Sequence, residues 1–136
     1  MDDCVFCKIV AGDIPCYKVY EDEDFLAFLD MYPVNHGHTL VIPKKHYDNI
    51  FDLPNDIASK YFVVVQKIAG VVKNIMDADG INIGMNNLPA AGQVVFHSHI
   101  HVIPRFKNDG LNHWGNKEVN QDEMNKIAEK MKESIK

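Results

Sequence analysis

The sequence predicts an α+β fold, a largely antiparallel sheet with one long helix and a C-terminal helix. Two patterns carry that prediction. Short β-rich segments are separated by turn residues, whereas one central stretch switches to a three- and four-residue apolar period. Strand pairs joined by short turns favour antiparallel pairing, and the order strands, long helix, two strands, terminal helix suits a sheet covered by helices. At 136 residues the chain reads as a single domain able to bury one substantial core.

Taken in order, residues 1–16 read as irregular, although Val5, Phe6, Ile9 and Val10 could form an apolar helical stripe. Gly12-Asp13-Ile14-Pro15 is a turn signal. Tyr17–Glu21 and Phe25–Asp30 are short strands flanking the acidic turn Asp22-Glu23-Asp24. Pro33, Asn35 and Gly37 mark a loop, and His38–Pro43 is a β-rich apolar run suited to a central strand. Between Asp52 and Asp77, the residues Ile57, Tyr61, Val64, Val65, Ile68, Val72, Ile75 and Met76 form the stripe of a long amphipathic helix. Asp52 or Asn55 could cap it, and Pro54 suits its first turn. Gly80–Asn87 alternates Ile81, Ile83 and Met85 against polar or small residues, a half-buried strand pattern. Leu88–Gly92 is a loop feeding the histidine-rich segment, and residues 107–117 are polar and turn-rich, with His113 and the single Trp114. Asn120–Lys136 suits a short helix with Met124, Ile127, Met131 and Ile135 on one face.

Composition excludes several functions. The net charge of −5 argues against a broad nucleic-acid-binding surface. No apolar run approaches the roughly 20 residues that span a bilayer. The acidic start MDDCVFCK lacks the order of a secretory signal, and three cysteines make an odd count. Both point to a reducing, cytoplasmic compartment without structural disulfides.

The chemistry concentrates in Phe96–Arg105, FHSHIHVIPR. One histidine alone is usually structural or solvated; His97, His99 and His101 in strict alternation are different. In a strand all three imidazoles would leave one face, with roots roughly 7 Å apart, while Ile100 and Val102 anchor the other. An imidazole titrates near neutrality and brings no packing benefit to such a face. Cys4 and Cys7 form a CxxC pair, for which metal and redox readings compete. With His46 and His97 the pair would complete a tetrahedral Cys2His2 zinc set, although the spacing is wider than in zinc fingers. The redox reading lacks a thioredoxin-like strand-to-helix context. His38, His99 and His101, with Asn86 and the Gly92-Gln93-Val94 backbone, form a second constellation. A neutral imidazole can attack phosphorus, a neighbouring ring can protonate the leaving group, and backbone amides can hold phosphate oxygens. His99, central in the triplet, is the candidate nucleophile.

HSHIHVI resembles the His-φ-His-φ-His-φ-φ signature of the histidine triad (HIT) superfamily, φ being hydrophobic. The resemblance runs roughly from Cys4 to Arg105, through CVFCKIVAGDIP, FLAFLD, GHTLVIPKKH, Asn86 and AGQVVFHSHIH. It leaves residues 106–136 as a C-terminal extension, and it is closest to the nucleoside phosphoramidase-type branch with amino-terminal zinc cysteines. It implies a HIT-like fold and a homodimer whose sites bind a purine nucleoside monophosphate or its phosphoramidate or ester. By motif position Asp30 would hold the ribose hydroxyls, and Phe6, Ile9, Phe28, Leu29 and Met31 would enclose the base. Asn86, the Gln93–Val94 backbone, His99 and His101 would hold the phosphate, with His38 the fourth active-site histidine. Cys4, Cys7, His46 and His97 would hold structural Zn2+. Ser98 and Val94 depart from the pattern: the first stands at a hydrophobic position, the second where many members of this branch carry serine.

The expected activity is hydrolysis or transfer at the α-phosphate of a purine nucleoside phosphoramidate or related phosphate, through a nucleotidyl-histidine. Dinucleoside polyphosphate hydrolysis, a nucleotide-binding module with little turnover, and a structural metal protein are the competing readings.

Overall fold

A computed structural model describes residues 3–135 of the chain. Met1, Asp2 and Lys136, the ends of the expected domain and of the expected terminal helix, lie outside them. The fold is built on one sheet of β1 (Lys18–Glu21), β2 (Phe25–Leu29), β3 (Thr39–Pro43), β4 (Gly80–Gly84) and β5 (Ile100–Arg105). Their order is β1-β2-β3-β5-β4, and each neighbouring pair is antiparallel. Helices α1 (Val5–Ala11), α2 (Asn55–Met76) and α3 (Gln121–Ser134) complete an α+β fold of the expected kind.

Strand pleating divides the core into two layers. Phe25, Ala27, Val41 and Val102 face Ile57, Tyr61, Val64, Val65, Ile68 and Val72 of α2. On the opposite face Leu26, Phe28, Leu40 and Ile42 pack with Phe6 of α1, flanked by Ile9 and Val10. Each large apolar side chain so buried stabilises the fold by roughly 1.5–3 kcal/mol. The short helix α1 survives because its ends are closed. Cys4 Sγ accepts the Cys7 N–H at 3.3 Å, and Gly12, at φ 85°, ends the helix in the left-handed conformation.

Several local expectations change. Asp52 lies in a single 3-10 turn and Asn55 is already helical; Pro54 stands at the N-cap of α2 with no side-chain cap bond. Ile75 is 77% exposed, outside the core stripe. The strand expected to reach Asn87 stops at Gly84, and Asn87 instead accepts the Ile50 N–H. Ile83 remains exposed on this edge strand. The apolar stripe of α3 meets no core, since Met124, Ile127, Met131 and Ile135 are all exposed.

The largest change concerns the histidine strand. Only His101 lies in β5; His97 and His99 precede it in irregular backbone. Pairing of β5 with β3 begins at Ile100 opposite Val41, near the end of β3 at Pro43. Proline has no N–H to extend the ladder. The Ser98 N–H turns to the Tyr47 carbonyl instead, at 2.6 Å. The alternation nevertheless holds. Ser98, Ile100 and Val102 face the α2 side, where the Ser98 hydroxyl sits 3.3 Å from that of Tyr61. The Tyr61 proton goes to the Val41 carbonyl at 2.7 Å, so Ser98 donates to Tyr61. A serine at this apolar position is thus buried but satisfied.

Candidate functional site

The histidine segment splits into two clusters, and the partner of each ring's second nitrogen decides what the first can do. In the first cluster His97 Nε2 lies 2.8 Å from the Pro43 carbonyl. A carbonyl only accepts, so Nε2 carries the proton and Nδ1 presents a lone pair. That Nδ1 is 3.3 Å from Cys4 Sγ and 3.5 Å from Cys7 Sγ. His46 repeats the arrangement: Nε2 is 2.8 Å from the Asp48 carboxylate and Nδ1 is 3.3 Å from Cys7 Sγ. The ligating atoms of Cys4, Cys7, His46 and His97 all lie within 4.8 Å of one another. Burial, and then the Cys4 side chain, push the Cys7 thiol up to about 11. A dication among these four atoms would reverse that balance. Two sulfurs, two imidazole lone pairs and a hydrogen-bonded outer partner for each ring fit a closed tetrahedral zinc site. Burial lowers the His97 ring to about 4, which keeps it in the neutral form a metal requires.

The second cluster is open. His99 Nδ1 lies 2.7 Å from the His97 carbonyl, so this nitrogen donates and Nε2 keeps its lone pair. His38 Nδ1 accepts the Val34 N–H at 3.0 Å, which places the His38 proton on Nε2. His38 Nε2 is 2.8 Å from His101 Nδ1, so His101 accepts there and carries its own proton on Nε2. The result is a lone pair on His99 beside an N–H on His101, with the two rings 5.1 Å apart. Burial lowers all three rings, His101 to about 4, with His99 and His38 adding to the effect there. Asp30 works in the opposite direction on each of them. Its Oδ2 lies 3.5 Å from His38 Nε2, and its Oδ1 accepts the Tyr32 N–H.

The residues expected around a nucleotide are only partly assembled. Phe6 lies edge-on to Phe28, His97 and His99, with centroids 5.5, 5.8 and 5.2 Å away. Ile9 packs beside Phe6 and Phe28, whereas Met31 is 65% exposed and Leu29 lies at the surface end of β2. Asn86 reaches back toward the Gly92 carbonyl at 3.5 Å. Gly92 holds φ 93°, a left-handed conformation that favours glycine, and a Cβ there would lie 3.3 Å from the Asn86 amide. The Gly92 and Gln93 N–H groups are already bonded to the Pro89 and Leu88 carbonyls. Val94 N–H makes no hydrogen bond among the described residues, which leaves it free to receive an anion. The Gln93 side chain is buried and bonded to Leu88 N–H and the Asp48 and Val95 carbonyls, so it braces the loop. The Val94 side chain is exposed, in a recess shared with Cys4, His46 and Asp48.

Sequence reasoning missed the groups that orient the rings: the Pro43 carbonyl, the Val34 amide and Asp48. Only Asp48 left a signal, a carboxylate two residues after His46. It also missed the knot at the end of β5. Asp109 accepts from Arg105 at 2.8 and 3.0 Å, from the Phe106 and Leu111 N–H groups, and from Asn35.

Known proteins resemble this chain in sequence and fold. The HIT domain family matches residues 11–108. A Bacillus subtilis relative, Protein hit, is 52% identical over 81% of this chain and 77% of its own length. An adenosine 5'-monophosphoramidase of Candida albicans is 37% identical over 97% and 91% of the two chains. An adenylylsulfatase of Arabidopsis thaliana is 44% identical over 81% of this chain and 56% of its own. A Streptococcus mutans crystal structure superposes with TM-score 0.94 at 46% identity, covering 100% of this chain and 87% of the other. A zinc-bound histidine triad protein from Mycobacterium smegmatis gives TM-score 0.78 at 43% identity, over 90% and 87%. This chain belongs to the HIT family.

Proposed function

We propose that the protein is a nucleotide hydrolase or transferase that attacks the α-phosphate of purine nucleoside phosphoramidates or related nucleoside phosphates. The observation that carries this reading is the pairing of tautomers, a lone pair on His99 Nε2 beside an N–H on His101 Nε2. An anionic phosphoryl group between the rings raises their proton affinity, and the nearby Asp30 carboxylate supports a second proton on the His38–His101 pair. His99 Nε2 then forms a bond to phosphorus as the P–N bond to the leaving group breaks. The leaving nitrogen takes its proton from His101. Water next attacks phosphorus, its proton returns to His101, and the bond to His99 breaks to release the monophosphate. The Val94 amide and Asn86 hold phosphate oxygens, Asp30 meets the ribose, and Phe6, Ile9, Phe28, Leu29 and Met31 border the base. The family relatives named adenosine 5'-monophosphoramidase and adenylylsulfatase support a nucleotide substrate.

Cys4, Cys7, His46 and His97 would hold a zinc ion that ties α1 to the approach of the catalytic segment. With four protein ligands it has no open position for substrate. We read residues 1–136 as one domain with its core at about 4–105, acting in the cytoplasm as a homodimer on small nucleotides, with neither nucleic acid nor membrane as partner. No helix of the described residues is long and apolar enough to cross a membrane. Purified protein given adenosine 5'-phosphoramidate should release the monophosphate. Turnover no greater than that of His99→Ala contradicts the proposal. A panel including dinucleoside polyphosphates separates the alternative substrate class.

A further inference from the structure

We propose that Gln93 is a positioning residue: its side-chain amide holds residues 88–95 in a conformation they disfavour, so that the Val94 N–H is aimed before a phosphoryl group arrives. The inference rests on the function proposed above and deepens its phosphate side. The Val94 N–H and Asn86, the groups assigned there to the phosphate oxygens, both belong to the connection between β4 and β5. That connection contains no regular element except one 3-10 turn, Pro89–Ala91. Irregular backbone holds a donor steady only if something outside the ladder fixes it. A donor fixed in advance costs no reorganisation as charge develops on the phosphoryl oxygens.

The conformation so held is an unfavourable one. Leu88 sits at φ 76° and ψ 157°, a region left almost entirely to glycine, and a leucine persists there only if its surroundings over-determine it. Its side chain is 47% exposed, so packing does not supply the restraint. Gln93 supplies it on both sides of the residue. The Leu88 N–H donates to Gln93 Oε1 at 2.7 Å, and the Leu88 carbonyl accepts the Gln93 N–H at 3.2 Å. Gln93 Nε2 donates to the Val95 carbonyl at 3.1 Å and to the Asp48 carbonyl, which lies outside the connection. The Asp48 stretch is fixed in turn, because the Tyr47 carbonyl takes the Ser98 N–H. One side chain thus joins residue 88 to residue 95 and both to residue 48, with the Val94 N–H enclosed between the joined points. Asn86 leans on the same loop through the Gly92 carbonyl. Both hydrogens and the oxygen of the buried Gln93 amide are committed to backbone, so it acts through Val94 and not on substrate. A glutamate there could accept from Leu88 but could not donate to two carbonyls.

The test uses Gln93→Met, which keeps the length of the side chain and removes its hydrogen bonds. It is made alone and together with Leu88→Gly, which frees the same backbone conformation of strain. Per folded chain, kcat for adenosine 5'-phosphoramidate should fall at least about thirtyfold in Gln93→Met, approaching the cost of one lost oxyanion donor. The Kd for adenosine monophosphate should rise at least about tenfold, the scale of one hydrogen bond to a charged group, while that for adenosine stays within about threefold. Adding Leu88→Gly should restore kcat at least about threefold, because glycine reaches the aimed conformation without the clamp. A smaller fall in kcat, equal weakening of monophosphate and nucleoside, or a double variant no faster than Gln93→Met overturns the positioning role and leaves the proposed function standing. If Gln93→Met does not fold, Gln93→Glu, which keeps the acceptor for Leu88 and loses the paired donation, is held to the same outcomes. Wild-type protein that releases no monophosphate from the phosphoramidate overturns the underlying function, and this inference with it.

Discussion

In the Cys4/Cys7/His46/His97 cluster every ring nitrogen already faces a partner, a thiol on one side and a carbonyl or carboxylate on the other. In the His38/His99/His101 cluster, the Nε2 atoms of His99 and His101 face none among the described residues. The two clusters meet at His97, whose ring serves the first and whose carbonyl orients His99 of the second. The same side chain thus becomes a ligand or a reagent according to which nitrogen the backbone occupies. A ring closed on both edges can only hold something in place, whereas one open edge leaves a lone pair or a proton for a substrate.

The sharpest way to break this comparison is to remove the open lone pair. His99→Ala should keep the fold and nucleotide binding yet lose at least about a thousandfold in turnover, since a covalent path is worth several kcal/mol. Single-turnover kinetics on the variant would check it, and activity within about tenfold of wild type would exclude His99 as nucleophile. A smaller effect is expected one bond further out. His38→Ala removes the donor that fixes the His101 tautomer, and turnover should fall by about a hundredfold, the range for a displaced general acid. A loss confined to KM would show that His38 only shapes the pocket.

Asp30 sharpens the comparison from the binding side. Asp30→Ala should weaken a ribonucleoside monophosphate by about tenfold more than its 2',3'-dideoxy analogue, because a carboxylate gains hydrogen bonds only from hydroxyls that exist. Equal weakening of both, measured by calorimetry, would make Asp30 a purely structural partner of Tyr32 and His38. The smallest of these effects is on pH. His38 and His101 are held below their ordinary range by burial, His101 at about 4. Below pH 6.5 the unfolded chain therefore binds protons that the folded chain refuses. Stability should fall as pH drops from 6.5 toward 4, and His101→Asn should lose part of that slope. Melting temperatures of the two proteins across this window, differing in slope by about 5 °C in total, would show it.

Much of this was legible in the sequence. The alternation of His97, His99 and His101 against Ser98, Ile100 and Val102 separates the two faces even though only the last part is strand. The stripe of α2 and the apolar runs of β2 and β3 identify the core. What could not be read are contacts supplied by backbone atoms far away in sequence, such as the Pro43 carbonyl on His97 and the Val34 amide on His38. Backbone groups are alike at every residue, so no letter of the sequence marks them. Gln93 shows a similar limit: its place in the motif suggests the phosphate, while burial turns its side chain into a brace and spends its amide on Leu88. The apolar stripe of α3 was legible too, but periodicity gives a face and not what it packs on.

The division of labour between the clusters is tested most directly on one set of samples, wild type and Cys7→Ser, by measuring zinc per chain, melting temperature and phosphoramidate turnover at low temperature. The account predicts that the variant loses zinc and melts lower, since metal binding contributes to folding. Turnover per folded chain should stay within about threefold of wild type, because His99 is oriented by the backbone carbonyl of His97 and not by its metal-facing ring, and the proton of His101 is set by His38. Turnover that falls in proportion to zinc while the fold remains intact would place the metal in the reaction and contradict the separation of the two clusters.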